Sequence, residues 1–404
     1  MRYILLSVLA VPVIVILMLF NADGLSILKV EDLVGLPILK VEDLVVEKFA
    51  SCGVPHHLCS PTTMTFVEED ILILQKNNGV VHQIQDNFWG GKELAEKPVL
   101  EVAVNPIRES GLLGVTSVGS TVYIYFTEVD LDGEQLGNRI YKYDWDGDAL
   151  INPVLLKELP SNEYHNGGAM VTGLDNQVYA VIGDTGKYGP LQNILLEYLF
   201  PPNTPDYMDT GVILRVDPEG PYHAIGIRNS FGLAIDPITG NLWATENGDD
   251  SFDEINMIPE KFNSGWKVTM GPATESELSN LPNYEDYVYG DPQFSWEIPV
   301  APTALAFAEF KEIDAYKNAL FVGDCNNGNL YKFELNQERN GFEFDTSLLE
   351  DNVVNKNENI EEILIGTGFG CITDIESGPD GFLYVVSLGD GVIYRILPKA
   401  NLEG

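Results

Sequence analysis

The sequence is poor in basic residues. Of its 404 residues only 23 are Lys or Arg, against 61 Asp and Glu, and the formal net charge is −38. Binding to DNA or RNA needs Lys and Arg against phosphates, so this composition argues against a nucleic-acid partner. An anionic membrane face would also repel the chain. We interpret the charge as a heavily solvated surface that keeps the protein soluble by self-repulsion.

Cysteine is also scarce, with four residues in the whole chain. Cys52 and Cys59 bracket the short loop CGVPHHLC, for which we predict a local disulfide typical of an oxidising compartment. His56 and His57 inside the same loop leave a Cys2His2 metal site as the alternative. The disulfide is favoured because this spacing matches no established zinc pattern.

One long hydrophobic run stands at the N-terminus. Residues Ile4–Phe20 carry no charge over 17 positions, which as a helix would span about 25 Å. Phe20 stands where signal peptidase requires a small side chain, so we favour an uncleaved membrane anchor over a cleaved signal for residues 1–22. Arg2 before the run and Asp23 after it orient the body outward. Both alternatives place the body outside the cytoplasm.

A direct repeat follows the hydrophobic run. The motif ILKVEDLV occurs at Ile27–Val34 and again at Ile38–Val45. Two copies are too few for a solenoid. We therefore interpret residues 23–46 as a linker, with the folded body at residues 47–400.

The body is rich in glycine (38 residues) and in Tyr and Phe (18 each), a mixture that favours strands and turns. A short apolar strand recurs six times, at Asp70–Gln75, Thr121–Glu128, Gln177–Asp184, Asn241–Gly248, Ala319–Asp324 and Phe382–Ser387. Each is followed by a second strand, at Gly79–Ile84, Asn138–Asp144, Gly211–Asp217, Asp253–Ile258, Gly328–Glu334 and Gly391–Leu397. Six paired copies predict an all-β, six-bladed β-propeller preceded by the N-terminal hydrophobic helix, and they disfavour a β-sandwich.

Three groups of polar residues lie in loops beside these strands, where propellers bind ligands. His165 in HNGG would serve as a general base or cap a turn. Arg228 and Asn229 in IRNSFGLA would clamp a carboxylate or form a salt bridge. The acidic loop Glu246–Glu254 would supply hard oxygen ligands for Ca²⁺.

Several motifs occur together in one order, namely GLLGV, HNGG, IRNSFGLA, ENGD followed by DEI, and GPDGFLYV. In that order they resemble the soluble quinoprotein glucose/sorbosone and aldose sugar dehydrogenases, which use pyrroloquinoline quinone (PQQ). The resemblance covers about residues 47–400. It implies that His165 is the base that removes the sugar hydroxyl proton while hydride passes to the quinone. It also implies that Arg228 and Asn229 contact cofactor and substrate, with Arg228 sharing in catalysis.

The resemblance further implies a metal and a cofactor wall. Backbone oxygens of the loop after the fourth blade's first strand, here at Gly248 and Asp249, would hold a Ca²⁺ that polarises the quinone carbonyl. The acid just ahead of GLLG, here Glu109, would lie against the cofactor. The resemblance thus implies a mechanism in which His165 acts as the base beside Ca²⁺ as the Lewis acid.

Three positions depart from the family pattern. Asn326 stands at a Lys, and Cys371 and Thr373 stand at two Arg, that neutralise the quinone's carboxylates in the family. Desolvating a tricarboxylate without those cations is costly. Arg108 or Lys187 is the candidate substitute. Because Cys325 and Cys371 fall at or beside the changed positions, we expect them to form an inter-blade disulfide.

We conclude from the sequence that the chain is a PQQ- and Ca²⁺-dependent oxidoreductase acting on CH–OH groups. Its partners would be a small-molecule sugar and an external electron acceptor, with membrane contact only through the N-terminal anchor. The alternative is a catalytically inactive propeller that binds a glycan or a protein. A hydrolytic propeller ranks third, since no convincing nucleophile–base pair is present.

Overall fold

The computed structural model describes residues 35–51, 59–87, 91–186, 209–284, 286–308 and 319–402, residues 310, 313, 316 and 317, and the backbone of 19–21 and 24–26. Most of the helix predicted at 4–20 lies outside these ranges. Its last residues form strand β1 (Leu19–Asn21), paired antiparallel with β2 (Gly24–Ser26). The helix prediction is therefore wrong for Leu19 and Phe20, where Asn21 and Gly24 favour a turn. Within the described ranges, no helix is long and apolar enough to cross a membrane.

The second copy of the repeat belongs to the folded body. Strand β3 (Ile38–Leu39) adds to one sheet, and β4 (Leu44–Ser51) adds to another. Leu44 is buried, and Leu39 and Val46 pack against the same core. The linker interpretation of residues 23–46 thus does not hold for these strands, because burial of the repeat's apolar side chains draws them into the sheets.

Six sheets of four to six strands make up the described body, and they are numbered in the order in which their first strands occur in the chain. Sheet 1 contains β5 (Pro61–Val67), β6 (Asp70–Gln75), β7 (Val80–Asp86), β8 (Lys92–Leu94) and β9 (Leu100–Glu101). Sheet 2 contains β10 (Leu112–Val118), β11 (Thr121–Val129), β12 (Gln135–Trp145) and β13 (Leu150–Leu159). Sheet 3 contains β14 (Met170–Thr172), β15 (Val178–Ile182), β16 (Val212–Asp217), β17 (Ala224–Ile225), β21 (Phe262–Asn263) and β22 (Val288–Tyr289).

The other three sheets complete the body. Sheet 4 contains β18 (Gly232–Ile235), β19 (Leu242–Glu246), β20 (Asp253–Ile258), β23 (Phe294–Trp296) and β28 (Val353–Val354). Sheet 5 contains β24 (Pro302–Phe307), β25 (Ala319–Asp324), β26 (Asn329–Leu335), β27 (Phe342–Glu343), β29 (Leu364–Thr367) and β3. Sheet 6 contains β30 (Ile372–Ser377), β31 (Leu383–Ser387), β32 (Val392–Pro398) and β4. Helix α1 (Glu275–Asn280) and a 3₁₀ turn (Lys399–Leu402) lie outside the sheets.

Each of the six strand pairs predicted from the sequence is an antiparallel pair in the structure: β6–β7, β11–β12, β15–β16, β19–β20, β25–β26 and β31–β32. The strand preceding each pair, such as the three-residue β14, was not predicted because it is short or rich in small residues.

The first strands of the sheets contact one another in cyclic order, β5–β10–β14–β18–β24–β30 and back to β5. A separate cluster of buried apolar side chains fills each gap between neighbouring sheets. Strand β4, near the start of the body, pairs with β32 near its end. The all-β, propeller-like fold is therefore confirmed, and its core is spread over the interfaces between sheets.

Candidate active site

A cavity of about 430 Å³ lies at one end of the ring, where the first strands begin. Every sheet contributes to it at or just before its first strand, through Thr62, Leu113, Ala169, Phe231, Thr303 and Thr373. Because the second strand of each sheet runs antiparallel to the first, the loops that follow the second strands reach the same edge. Lys76, Asn247, Asn326 and Leu388 come from such loops.

The cavity gathers seven of the eight site residues predicted from the sequence: Glu109, His165, Arg228, Asn229, Gly248, Asn326 and Thr373. The eighth, Asp249, lies beside the cavity and accepts a hydrogen bond from Arg228. We call Glu109, His165, Arg228 and Asn229 the His165 wall. Cys325, Asn326, Cys371 and Thr373 form the disulfide wall.

His165 is held in place by two carboxylates. Its Nδ1 lies 2.6 Å from Oδ1 of Asp184, and its backbone N–H donates to Oε2 of Glu109 at 2.6 Å. The backbone of His165 adopts the left-handed conformation (φ 56°). At the second glycine that follows, Gly168, an added Cβ would lie only 2.5 Å from Cβ of Leu113. Asp184 therefore directs Nδ1, and Nε2 is the ring nitrogen left for a ligand.

Asp184 was not predicted as a site residue. Its side chain is 2% exposed, against 15% for His165. Besides His165 it accepts hydrogen bonds from the backbone N–H of Gly186 and from Nε1 of Trp266, both at 2.8 Å. A carboxylate with this many donors is fixed in orientation, and it fixes the imidazole in turn. Its position at the end of the predicted strand Gln177–Asp184 was the available signal.

Arg228 is buried, with 8% of its side chain exposed. Its Nη1 donates to the carbonyl of Asn247 at 2.8 Å and its Nη2 to Oδ1 of Asp249 at 3.0 Å. The guanidinium also lies over the ring of Trp266, with Cζ 5.1 Å from the centroid. Its Nε is buried and has no hydrogen-bond partner among the described residues. Two of the five N–H donors of this well-fixed cation are therefore used, and Nε–H is among those left for a ligand.

Glu109 links the side chain of Asn229 to the backbone of His165. Nδ2 of Asn229 donates to Oε2 of Glu109 at 3.3 Å, the same oxygen that accepts the backbone N–H of His165. Oδ1 of Asn229 is buried without a partner in the described part of the chain. A buried acceptor of this kind is costly unless a ligand or water donates to it.

Below the His165 wall lies a pair of buried carboxyls, Glu246 and Glu254, directly opposite each other on β19 and β20. Glu246 accepts the backbone N–H of Arg228 and the hydroxyl of Ser264, both at 2.6 Å. Burial raises the pKa of Glu246 to about 7. It also raises the pKa of Glu254 to about 8, with a further contribution from the charge of Glu246. The two carboxyls disfavour being ionised together.

The disulfide wall lies at the start of β30 and the end of β25. Cys325 and Cys371 are joined, with Cα atoms 3.8 Å apart, which confirms the predicted bridge. Asn326 is exposed at the rim, and Nδ2 donates to the carbonyl of Pro299 at 3.4 Å. Oγ1 of Thr373 is buried and unpartnered within the described ranges.

Cys59 is also disulfide-bonded. Cys52, His56 and His57 lie outside the described residues, so the first pairing stays a prediction.

Two further cations line the cavity, Lys76 and Arg108. Arg108 was one of the two candidate substitutes for the missing family cations, and it is in position to act. The other candidate, Lys187, lies outside the described residues. Lys76 was not predicted, because nothing in the local sequence after β6 distinguishes it from a solvated surface lysine.

The predicted metal loop is rich in oxygen atoms. The described residues contain no group of three or more His, Cys, Asp or Glu side chains suited to a metal. The backbone N–H of Gly248 donates to Oδ1 of Asp253 at 2.8 Å, and an added Cβ at Gly248 would lie 1.8 Å from the carbonyl oxygen of Phe252. Oδ1 of Asn247 is buried without a partner in that part of the chain. A hard cation here would depend mainly on carbonyl and amide oxygens, with Asp249 as the half-exposed carboxylate of the loop.

Residues 58–395 match the family model of glucose/sorbosone dehydrogenase. Quinoprotein glucose dehydrogenase B of Acinetobacter calcoaceticus is 28% identical over 249 residues, covering 52% of this chain and 50% of that protein. An aldose sugar dehydrogenase of Escherichia coli is 24% identical over 256 residues, covering 61% of this chain and 64% of that one. The chain thus spans about half the length of the first relative and less than two thirds of the second.

Solved structures of similar shape support the fold. The PQQ-bound aldose sugar dehydrogenase of Streptomyces coelicolor aligns with a TM-score of 0.62 and 23% identity, over 90% of this chain and all of that one. The apo aldose sugar dehydrogenase of E. coli aligns with a TM-score of 0.64 and 18% identity, over 88% of this chain and all of that one.

Proposed function

The chain belongs to the glucose/sorbosone dehydrogenase family, and on that premise we propose that it oxidises an aldose or a related alcohol with PQQ as cofactor. The observation that carries the proposal is the His165–Asp184 pair, which lies in one cavity with Arg228 and Asn229. The names of the relatives, glucose dehydrogenase and aldose sugar dehydrogenase, support a sugar as the substrate class. The electrons would pass to an external acceptor.

His165 is suited to act as the general base. Asp184 accepts from Nδ1–H, so Nε2 carries a lone pair that can take the proton of a substrate hydroxyl. The positive charge that then develops on the ring is stabilised by the Asp184 carboxylate at 2.6 Å. Such an arrangement removes a hydroxyl proton without moving either side chain.

The cavity fits an anionic, polar cofactor. Three residues of its lining each carry a buried polar atom without a partner among the described residues, namely Arg228 Nε, Asn229 Oδ1 and Thr373 Oγ1. We propose that Arg228, Asn229, Glu109, Asn326 and Thr373 hold PQQ, with Lys76 and Arg108 supplying charge. When bound, PQQ supplies the two-electron acceptor that no side chain can provide.

We also propose a Ca²⁺ site at Gly248 and Asp249. The unpartnered Oδ1 of Asn247 and the half-exposed carboxylate of Asp249 support it. When bound, Ca²⁺ would act as a Lewis acid beside the base. Because Arg228 already donates to this loop, calcium and Arg228 would share its oxygens.

Two structural proposals accompany the activity. Each of the six sheets would be one blade of a six-bladed propeller, which the cyclic contacts of the first strands support. The hydrophobic run Ile4–Phe20 supports an extracytoplasmic position with attachment through the N-terminus.

The proposal is tested by loading the full chain with PQQ and Ca²⁺ and measuring dye-linked oxidation of a panel of aldoses. We expect turnover with at least one aldose and none without PQQ. Binding of glycans with no turnover in the loaded protein would instead identify a catalytically inactive binding propeller.

A further inference from the structure

Lys76 and Arg108 form a small cationic surface on the cavity at the junction of sheets 1 and 2. Lys76 Nζ donates to the carbonyl of Arg108 at 2.8 Å and to Oδ1 of Asn77 at 3.3 Å. Arg108 lies beside Tyr164, with Cζ 5.7 Å from the ring centroid. In the described ranges neither cation forms a salt bridge with a carboxylate.

The lack of a carboxylate partner is informative in this chain. Acids outnumber bases by 61 to 23, and other cations such as Lys142 and Arg395 do form salt bridges. Burial lowers the pKa of the Lys76 amine, and the charge of nearby Glu109 opposes this shift only in part, so the charged form is poorly solvated there. An anion in the cavity would offset this cost. The two cations are therefore available to a ligand.

The backbone fixes this surface. Arg108 adopts the left-handed conformation (φ 54°), which is unfavourable for a residue with a side chain. The hydrogen bond from Lys76 Nζ to its carbonyl holds it there, as does the bond from Glu109 N–H to the Glu163 carbonyl at 3.0 Å. At Gly111 an added Cβ would lie 2.5 Å from the carbonyl oxygen of Lys76 and 2.9 Å from its Cγ, so only glycine allows the two loops to approach this closely.

The disulfide wall, at the junction of sheets 5 and 6, has no such charge. The disulfide wall presents two sulfur atoms, an amide and a hydroxyl, and Ala301 and Leu388 beside it are apolar. Negative groups of a ligand would gain charge-assisted hydrogen bonds at Lys76 and Arg108 but only neutral contacts at the disulfide wall. The cations of the cavity lining are thus Lys76, Arg108 and Arg228, beside the acids Glu109 and Asp253, and none belongs to the disulfide wall.

We propose that Lys76 and Arg108 bind the carboxylates of the cavity's anionic ligand and orient it with its negative end toward sheets 1 and 2. This inference rests on the proposed function in one respect, since under that function the ligand is PQQ. The positive charge that orients the ligand then lies at the junction of sheets 1 and 2, and the disulfide wall contacts the less charged part of the ligand.

The test is a titration of the full chain with PQQ at saturating Ca²⁺, followed by calorimetry and cofactor absorbance. Lys76→Gln and Arg108→Gln should each raise Kd by about ten- to a hundredfold. Lys76→Arg, which keeps the charge, should stay within a few-fold of wild type. The matched control is Lys92→Gln, an equal charge loss at a lysine paired with Asp86 on the outer strands of sheet 1, and it should leave Kd unchanged.

The outcomes separate this inference from the proposed function. If wild type binds PQQ and both Gln variants bind it equally well, the inference is wrong and the function stands. The inference also fails if Asn326→Lys tightens binding more than tenfold while Lys76→Gln has no effect. If wild type does not bind PQQ, the function fails, and the same variants are titrated with benzene-1,3,5-tricarboxylate. Weakening in Lys76→Gln then supports the inference, and absence of binding overturns it.

Discussion

The His165 wall and the disulfide wall hold their polar groups by different means. In the first, His165, Arg228 and Asn229 each donate to a carboxylate of Glu109, Asp184 or Glu246, in hydrogen bonds of 2.6 to 3.3 Å. In the second, a covalent bridge joins Cys325 to Cys371, and the side chain of the neighbouring Asn326 donates one hydrogen bond of 3.4 Å within the described residues.

This difference indicates that the general base must stay at one position, whereas the cations that bind an anion can occupy different positions around the cavity. Proton transfer requires donor and acceptor within hydrogen-bond reach, so the base and its orienting carboxylate must keep their positions. Anion binding requires only that a cation be near, so charge at Lys76 and Arg108 can replace charge at the disulfide wall. Substitutions in the His165 wall should therefore lower kcat, and substitutions in the disulfide wall should lower the free energy of unfolding.

The largest effect is expected from His165→Ala on the His165 wall. Loss of the base should lower kcat by about 10²–10⁴ while the fold stays intact. Steady-state kinetics with an aldose would measure it, with circular dichroism and the PQQ Kd as controls. A variant that keeps more than half of the wild-type kcat would assign the base to another residue.

The disulfide wall should respond in stability and not in catalysis. The double variant Cys325→Ser/Cys371→Ser removes a bridge between residues 46 positions apart, which should lower the free energy of unfolding by about 2–4 kcal/mol. Urea denaturation measures that loss. We expect kcat to change less than threefold, and a hundredfold fall in kcat would show that this wall takes part in the reaction.

Asp184→Asn tests the support of the base. An amide at this position can donate to Nδ1, which would leave the proton on Nε2 and remove the lone pair that accepts from substrate. We expect kcat to fall by about ten- to a hundredfold with KM little changed. The pH–rate profile should also shift, which a purely structural defect would not produce. Unchanged kinetics would contradict the assigned role.

The smallest effect concerns the carboxyl pair beneath the His165 wall. Burial raises the pKa of Glu246 to about 7 and that of Glu254 to about 8, above the ordinary 4.5. The folded state therefore holds protons that the unfolded state releases, and stability is lost as pH rises from about 5 to about 8. Tm measured across this range should fall in wild type, and less in Glu254→Gln. A Tm that rises with pH would refute this.

The sequence allowed the predicted strand pairs and most of the lining of the cavity to be identified, because each depends on a short local pattern. His165, Arg228 and Asn229 stand in glycine-flanked loops beside apolar strands. Asp184 and Lys76 could not be assigned, since their roles arise only when distant strands meet at one end of the ring. The second ILKVEDLV copy was misread because closing the ring, a long-range event, decides whether it forms strands.

The most direct test of the account is a single-turnover reaction of the PQQ- and Ca²⁺-loaded chain with an aldose, either unlabelled or deuterated at C1. Stopped-flow absorbance of the cofactor follows the reaction. We predict rapid cofactor reduction that is slowed severalfold by deuterium, and reduction slower by about a hundredfold or more in His165→Ala. A loaded protein whose cofactor is not reduced by any aldose, or is reduced equally fast in His165→Ala, would contradict the assignment of this cavity as a sugar-oxidising site.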